Sequence, residues 1–216
     1  MLSYRHAFHA GNHADVLKHL VEILVLEYLV QKAGKPLRYI DTHAGPGTYD
    51  LGSSFASKNR EFDTGISRLW ERSDLPRPLV NYVDHVRALN PGGELQHYPG
   101  SPALAAKILH AGHRLQLFEL HPDDAGRLQR WAGRDPRIKV QHSDGFAALK
   151  AVLPPVEKRA LVMIDPPYEV KTDYDTAVDA LQLASRKFAT GVYVLWYPLL
   201  NRGLVSAMLS KLRAMS

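Results

Sequence analysis

The sequence contains no cysteine in 216 residues. That excludes a disulfide scaffold, thiolate zinc sites and a cysteine nucleophile. Long apolar runs are missing too. The longest, around Val192–Leu200, is about ten residues, far short of the roughly 20 that span a bilayer. The opening MLSYRHAFHAG has no apolar leader core, and no repeat or low-complexity segment stands out. Acid is in the minority: Lys+Arg 27 against Asp+Glu 22 gives a formal charge of +5. An excess of this size suits a polyanionic partner without specifying one. With 45% hydrophobic and 23% charged residues, the composition is that of a globular protein. The length fits one domain, or one domain with an insertion. A soluble, cytosolic monomer is expected.

The first twenty residues crowd polar groups together: Tyr4, Arg5, His6, His9, Asn12, His13, Lys18 and His19. From Ala14 the pattern turns helical, with Val16, Leu17, Leu20, Ile23, Leu24, Leu26 and Leu29 apolar, until Gly34-Lys35-Pro36 ends it. Five strands are then expected at Leu37–Asp41, Leu115–Glu119, Ile138–His142, Ala160–Asp165 and Gly191–Tyr197. Helical patterns at Asp123–Trp131, Gly145–Val152 and Asp175–Phe188 separate the later ones. Strands alternating with helices imply βαβ units, hence an α/β fold with a doubly wound parallel sheet. One connection is far longer than a crossover needs. Its stretch Thr64–Asn90, divided by Pro76 and Pro78, reads as helical, and residues 48–95 are expected to form a small helical insertion. Pro99-Gly100-Ser101-Pro102 leads into a further helix, Ala103–His110.

In open parallel sheets, ligands bind beyond the carboxyl ends of the strands. The residues just after each strand therefore carry the most information. The first strand ends in Asp41-Thr42-His43-Ala44-Gly45-Pro46-Gly47, whose glycines allow a sharp turn and close approach to a ligand or serve only as a turn. The third glycine of a dinucleotide fingerprint is replaced by Asp50, and Gly34-Lys35 is followed by Pro36, so neither that fingerprint nor a P-loop is present. The second strand ends in Glu119, a carboxylate able to accept both hydroxyl hydrogens of a ribose, or an ordinary surface acid. After the third strand, Asp144 before Gly145 can accept from the exocyclic amine of an adenine and can also cap the next helix.

The most specific signal follows the fourth strand: Asp165-Pro166-Pro167-Tyr168. Two prolines stiffen the loop and remove two N–H donors, leaving carbonyls for a substrate. The Asp165 carboxylate and the Pro166 carbonyl together can hold the two hydrogens of an amino group. Tyr168 offers a stacking face for a base drawn out of its helix. A rigid structural turn is the competing reading. His6, His9 and His13 raise the question of a metal, but without cysteine or a second cluster no metal is expected. Arg127, Arg130, Arg134, Arg137 and Lys139 read as a solvated helix face, with an RNA track as the alternative.

The combination of D-P-P-Y, D-T-H-A-G-P-G-T-Y, Y-P-G-S-P, F-E-L-H-P, S-D-G-F and the N-terminal MLSYRHAFHAGNHADVLKH resembles the RlmJ family. These are class I S-adenosylmethionine-dependent methyltransferases that act on adenine N6 in 23S ribosomal RNA. The likeness runs from residue 1 through the whole chain. It implies a Rossmann-like methyltransferase sheet of strand order 3-2-1-4-5. It also implies that the family's C-terminal portion, with an antiparallel strand hairpin, is lacking. It implies S-adenosylmethionine bound by the residues at Lys18, His19, Asp41, His43, Gly45, Ser101, Glu119, Asp144, Gly145 and Asp165, with Lys18 toward the methionine carboxylate. Asp165, Pro166 and Tyr168 would form the catalytic turn. A tail of residues 1–13 would meet the RNA through Tyr4, Arg5 and His6. Two rival readings remain open here. One is a DNA adenine methyltransferase, which shares D-P-P-Y. The other is a binding module without turnover.

Overall fold

A computed structural model describes residues 5–31 and 34–215. The chain opens with a 3-10 turn at His6–Phe8 and the helix α1 (His13–Gln31), which starts where Asn12 Oδ1 accepts from the Asp15 N–H at 2.9 Å. The expected continuation to Ala33 and the contact assigned to Tyr4 lie outside the described residues. Next come β1 (Arg38–Asp41), β2 (Thr48–Asp50), α2 (Ala56–Asn59), a 3-10 turn at Glu61–Thr64, α3 (Ser67–Trp70), α4 (Arg77–Arg87), β3 (His97–Pro99) and α5 (Ser101–Ile108). The remainder alternates: β4 (Arg114–Glu119), α6 (Pro122–Ala132), β5 (Ile138–His142), α7 (Gly145–Val152), β6 (Ala160–Ile164), α8 (Asp173–Lys187), β7 (Val192–Leu195) and α9 (Arg202–Arg213).

Five strands make one parallel sheet in the order β5-β4-β1-β6-β7. In strand terms this is the expected 3-2-1-4-5. The order reverses at β1, so the crevice beyond its carboxyl end is open to a ligand. Side chains alternate across the sheet as the two-residue period demands. Tyr39, Leu115, Leu117, Leu161 and Met163 face one side, packed with Leu26 of α1, Ala105 of α5 and Leu128 of α6. Ile40, Phe118, Val162 and Ile164 face the other, packed with Leu149 of α7 and Ala180 and Ala184 of α8. β6 is buried along its whole length, as a central parallel strand covered on both faces must be.

The insertion departs from expectation in one respect. It is not wholly helical: β2 and β3 pair antiparallel, Thr48 opposite Pro99 and Asp50 opposite His97, and frame it as a two-stranded sheet. Its helices bury their own core of Phe62, Ile66, Trp70, Tyr82, Val83 and Val86, shared with Ile23 of α1. The basic cluster also needs correction. Arg137 is not on a solvated face, because its guanidinium grips Asp135 and donates to the carbonyls of Ala106 and Leu109, tying β5 to the end of α5.

α1 inverts the pattern read from its apolar residues. Asp15, Lys18, His19, Glu22, Ile23 and Leu26 are buried, at the i, i+3, i+4, i+7 spacing of a single helical face. Leu17 (54% exposed), Val21, Leu24 and Tyr28 lie outside. The polar end of this buried stripe lies at the carboxyl ends of the strands.

Candidate active site

A cavity of about 850 Å³ opens at the carboxyl ends of β1, β4, β5 and β6. Of the residues expected at a site, it is lined by His6, Lys18, His19, His43, Gly45, Ser101, Glu119, Asp144, Asp165, Pro166 and Tyr168. Asp41, Gly145 and Arg5 are not on its wall. Asp41 is fully buried behind Ser101. Gly145 lies against the loop after β1, where a Cβ would come 2.1 Å from the Thr42 carbonyl oxygen. Arg5 pairs with Asp123 at 2.5 Å, fastening the N-terminal segment to the start of α6.

Asp165 follows β6 directly. Its Oδ2 lies 2.6 Å from Lys18 Nζ, which is also 2.9 Å from Asp15 Oδ1. Asp15 is itself held by the Gly11 N–H at 2.9 Å, and His6 Nε2 sits 2.9 Å from both of its oxygens. Burial works against charge on both Asp15 and Lys18. The neighbouring charges outweigh it: His6 and Lys18 hold the Asp15 carboxyl well below its usual range, and Asp15 with Asp165 holds the Lys18 ammonium well above its own. His6 and Lys18 thereby tie the N-terminal segment to the carboxylate after β6.

Tyr168 takes a left-handed backbone conformation, φ 52°, which a non-glycine residue adopts only at a cost. Its hydroxyl donates to the Trp196 carbonyl at 2.7 Å and its ring packs on Tyr174, centroids 4.6 Å apart. The strained residue is thus fixed from two sides while still lining the cavity.

On the opposite wall, Glu119 Oε2 accepts from the Gly45 N–H at 2.8 Å and Oε1 from the His121 N–H at 2.7 Å. Gly45 has φ +62°, which turns its N–H toward the carboxylate. The Leu120 N–H also bonds this carboxylate, which with about four acceptor sites keeps room for a further donor. Asp144 caps α7, its Oδ1 accepting from Phe146 and Ala147, which leaves Oδ2 for another partner. The His43 ring meets Phe146 edge-on at 4.7 Å, and burial pushes its pKa down to about 4. His19 Nδ1 lies 2.8 Å from the Tyr98 hydroxyl, and burial pushes its pKa down to about 3. Both rings are neutral near neutral pH.

Comparison with known proteins places the chain. Residues 34–216 match the model of the family "Ribosomal RNA large subunit methyltransferase D, RlmJ". Ribosomal RNA large subunit methyltransferase J of Escherichia coli K12 is 50% identical over 214 residues, spanning 99% of this chain and 76% of that relative. The chain belongs to the RlmJ family of methyltransferases. The Haemophilus influenzae Rd protein of the same name is 49% identical over 203 residues, spanning 94% of this chain and 72% of its own length. A crystal structure of a Legionella pneumophila protein superposes with a TM-score of 0.90 at 40% identity, covering 96% of this chain and 76% of that one.

Several residues lining this RlmJ-family cavity are not among those singled out from the sequence. Trp196, Tyr197, Pro198, Leu199 and Leu200 form a wall after β7, and Phe146 and His121 flank Asp144 and Glu119. Asp15 and Glu22 are likewise absent from the residues expected at a site. Their signal is the spacing of Asp15, Lys18, His19 and Glu22 on one face in line with Ile23 and Leu26.

Proposed function

We propose that this chain transfers the methyl group of S-adenosylmethionine to N6 of an adenine in 23S ribosomal RNA. The observation that carries the reading is the Asp165-Pro166-Pro167-Tyr168 turn, opening on the cavity with Asp165 held by Lys18 at 2.6 Å. Membership in the RlmJ family and the names of the curated relatives support the substrate class.

The residues present fit the cofactor. A volume of about 850 Å³ is ample for one small ligand and a base beside it. Asp15 and Asp165 flank the Lys18 ammonium on the cavity wall, acidic groups suited to a cationic ligand nearby. Glu119 would hold the ribose hydroxyls, Asp144 the adenine amine, and Phe146 with His43 the face of the ring. Ser101, His19 and Lys18 would border the amino-acid end, with Asp41 and Gly145 acting from behind the wall. S-adenosylmethionine supplies a methyl group already activated on a sulfonium, so the protein need only bind, orient and polarise.

In the mechanism, Lys18 occupies Asp165 Oδ2 and keeps the carboxylate in one orientation. Asp165 Oδ1 then accepts one hydrogen of the target amino group and the Pro166 carbonyl accepts the other. This directs the nitrogen lone pair into the cavity and stabilises positive charge as the nitrogen becomes tetrahedral. Tyr168 stacks on the base. The role of residues 1–13 would be to contact the substrate through Tyr4, Arg5 and His6, and residues 48–95 would be an insertion within a single domain.

The test is methyl transfer from labelled S-adenosylmethionine to protein-free 23S ribosomal RNA, with mapping of the modified base and duplex DNA run in parallel. Asp165→Ala should keep its fold and lose transfer. Robust turnover by a folded Asp165→Ala protein, or preference for the duplex, would overturn the assignment.

A further inference from the structure

Behind the cavity wall, four side chains form one hydrogen-bonded chain that reaches the cavity only through Ser101. Tyr39 Oη lies 2.8 Å from Glu22 Oε1 and 3.0 Å from Asp41 Oδ2, and Ser101 Oγ donates to Asp41 Oδ2 at 2.7 Å. Glu22, Tyr39 and Asp41 expose no surface. A phenol has one hydrogen, so it can serve only one of the two carboxyl groups beside it. The other contact needs a hydrogen from the carboxyl side.

The surroundings decide which carboxyl supplies it. Asp41 accepts from Ser101 and also, through Oδ1, from the His43 N–H at 3.1 Å, as an anion does. Among the described residues Glu22 makes no such contacts, and its Oε2 is buried there without a hydrogen-bond partner. An ionised Glu22 would leave a bare anionic oxygen out of reach of water, the costliest arrangement for a buried polar group. The Lys18 charge favours an anionic Glu22 but counts for less than burial and the Asp41 charge, and its contacts go to Asp15 and Asp165. The other groups that bear on Glu22 are Asp41, Asp165 and the Tyr98 hydroxyl, none of them cationic. Burial and the Asp41 charge push the Glu22 carboxyl well above its usual range. Burial pushes Asp41 up to only about 6, with the Ser101 hydrogen bond acting against it.

We propose that Glu22 is a positioning residue of the cofactor pocket, a neutral buried acid whose proton sets the direction of the whole chain. Glu22 donates to Tyr39, Tyr39 donates to Asp41, and Ser101 donates to Asp41. The hydroxyl hydrogen of Ser101 is thereby spent, and what Ser101 offers the cavity is lone pairs. It is an acceptor for the cationic amino group at the amino-acid end of the cofactor, since an ammonium has only hydrogens to give. The inference rests on the reading that this cavity takes S-adenosylmethionine. Glu22 touches neither cofactor nor substrate.

Two measurements test it. Infrared spectra of the free protein at neutral pH should show the carbonyl band of a neutral carboxyl group that is lost in Glu22→Gln. Binding of S-adenosylmethionine is then measured by calorimetry. Glu22→Gln, whose amide can still donate to Tyr39, should keep the affinity within about threefold. Glu22→Leu takes away the donor that holds the Tyr39 hydroxyl in place against Asp41, so Asp41 and Ser101 lose their positioning, and it should weaken affinity and raise KM for the cofactor by about tenfold, the size of one lost hydrogen bond. Its kcat at saturating cofactor should be unchanged. Adding Ser101→Ala to Glu22→Leu should cost little more. The proposal is overturned if wild-type protein binds the cofactor but lacks the band, or if Glu22→Gln binds as poorly as a folded Glu22→Leu. Should Glu22→Leu fail to fold, the band still decides. Wild-type protein that shows the band but binds no S-adenosylmethionine overturns the proposal through the cavity reading it rests on, not through Glu22.

Discussion

Lys18 is 5% exposed and lies between Asp15 and an Asp165 side chain that is 20% exposed. An ammonium between two carboxylates in so dry a setting sets the orientation of both. Removing one partner of a buried ion pair costs roughly 3–5 kcal/mol, because the other charge is left uncompensated. Lys18→Met should therefore lower stability by about that much and lower turnover more than a hundredfold, since Asp165 loses its fixed orientation. Lys18→Arg should recover much of the stability but little of the rate, because a planar fork cannot meet two carboxylates as a point charge does. Thermal melts and kcat measured on both variants check this. A Lys18→Met protein with near-normal kcat would remove Lys18 from the mechanism. At this scale the site was partly legible. Glu119 ends β4, Asp165 and Asp144 come just after β6 and β5, and strand ends in an open parallel sheet are where ligands bind. Asp15 and Glu22 were not legible, because a helix read by its apolar residues assigns charged ones to solvent. Leu17 and Leu24, part of the apolar pattern that marks the helix, lie exposed.

Elements meet the site through their ends, and the tightest meeting is between α7 and the loop after β1. At Gly145 a Cβ would lie 2.1 Å from the Thr42 carbonyl oxygen and 2.6 Å from its Cα, all of it backbone that cannot rotate away. Gly145→Ala should push the start of α7 off β1, moving Asp144 and Phe146 on one side and His43 on the other. Overpacking of this kind costs about 1–3 kcal/mol. The expected outcome is a lower melting temperature with weaker binding of S-adenosylmethionine, read by thermal melts and calorimetry. An alanine variant with unchanged affinity would show that the two elements can part without disturbing the cavity. The five long strands were readable because each is a short β-branched or aromatic run ending in turn residues. β2 and β3 were not. Each is three residues long, too short to show alternation, and they pair across the whole insertion.

For the molecule as a whole, burying so many ionisable groups beside one cavity links folding to pH, with opposite signs. His19 and His43 have folded values pushed down to about 3 and about 4, from an ordinary 6.5. Their contribution is present above 6.5 and is lost as pH falls toward those values, because the unfolded chain takes up protons the folded one refuses. Asp41, raised to about 6, and Glu22, raised well above 4.5, act the other way and favour the fold as pH falls through the same interval. These slopes offset one another between about pH 6 and pH 4.5. Below that, the Glu22 gain is complete and the Asp41 gain runs out near 3.8, while His19 continues to be lost and the depressed Asp15 begins to be lost as well. Melting temperature should therefore be nearly level from about pH 6 to pH 4.5 and fall steeply below about pH 4. His19→Gln removes one term of known sign. The stability advantage of wild type over His19→Gln should shrink by about 1.4 kcal/mol for each pH unit below 6.5. A set of melts across this range reads the difference directly. An advantage that stays constant from pH 7 to pH 4 would mean that the His19 ring takes up its proton in the folded protein as readily as in the unfolded chain, and would remove it from the acid sensitivity of the fold.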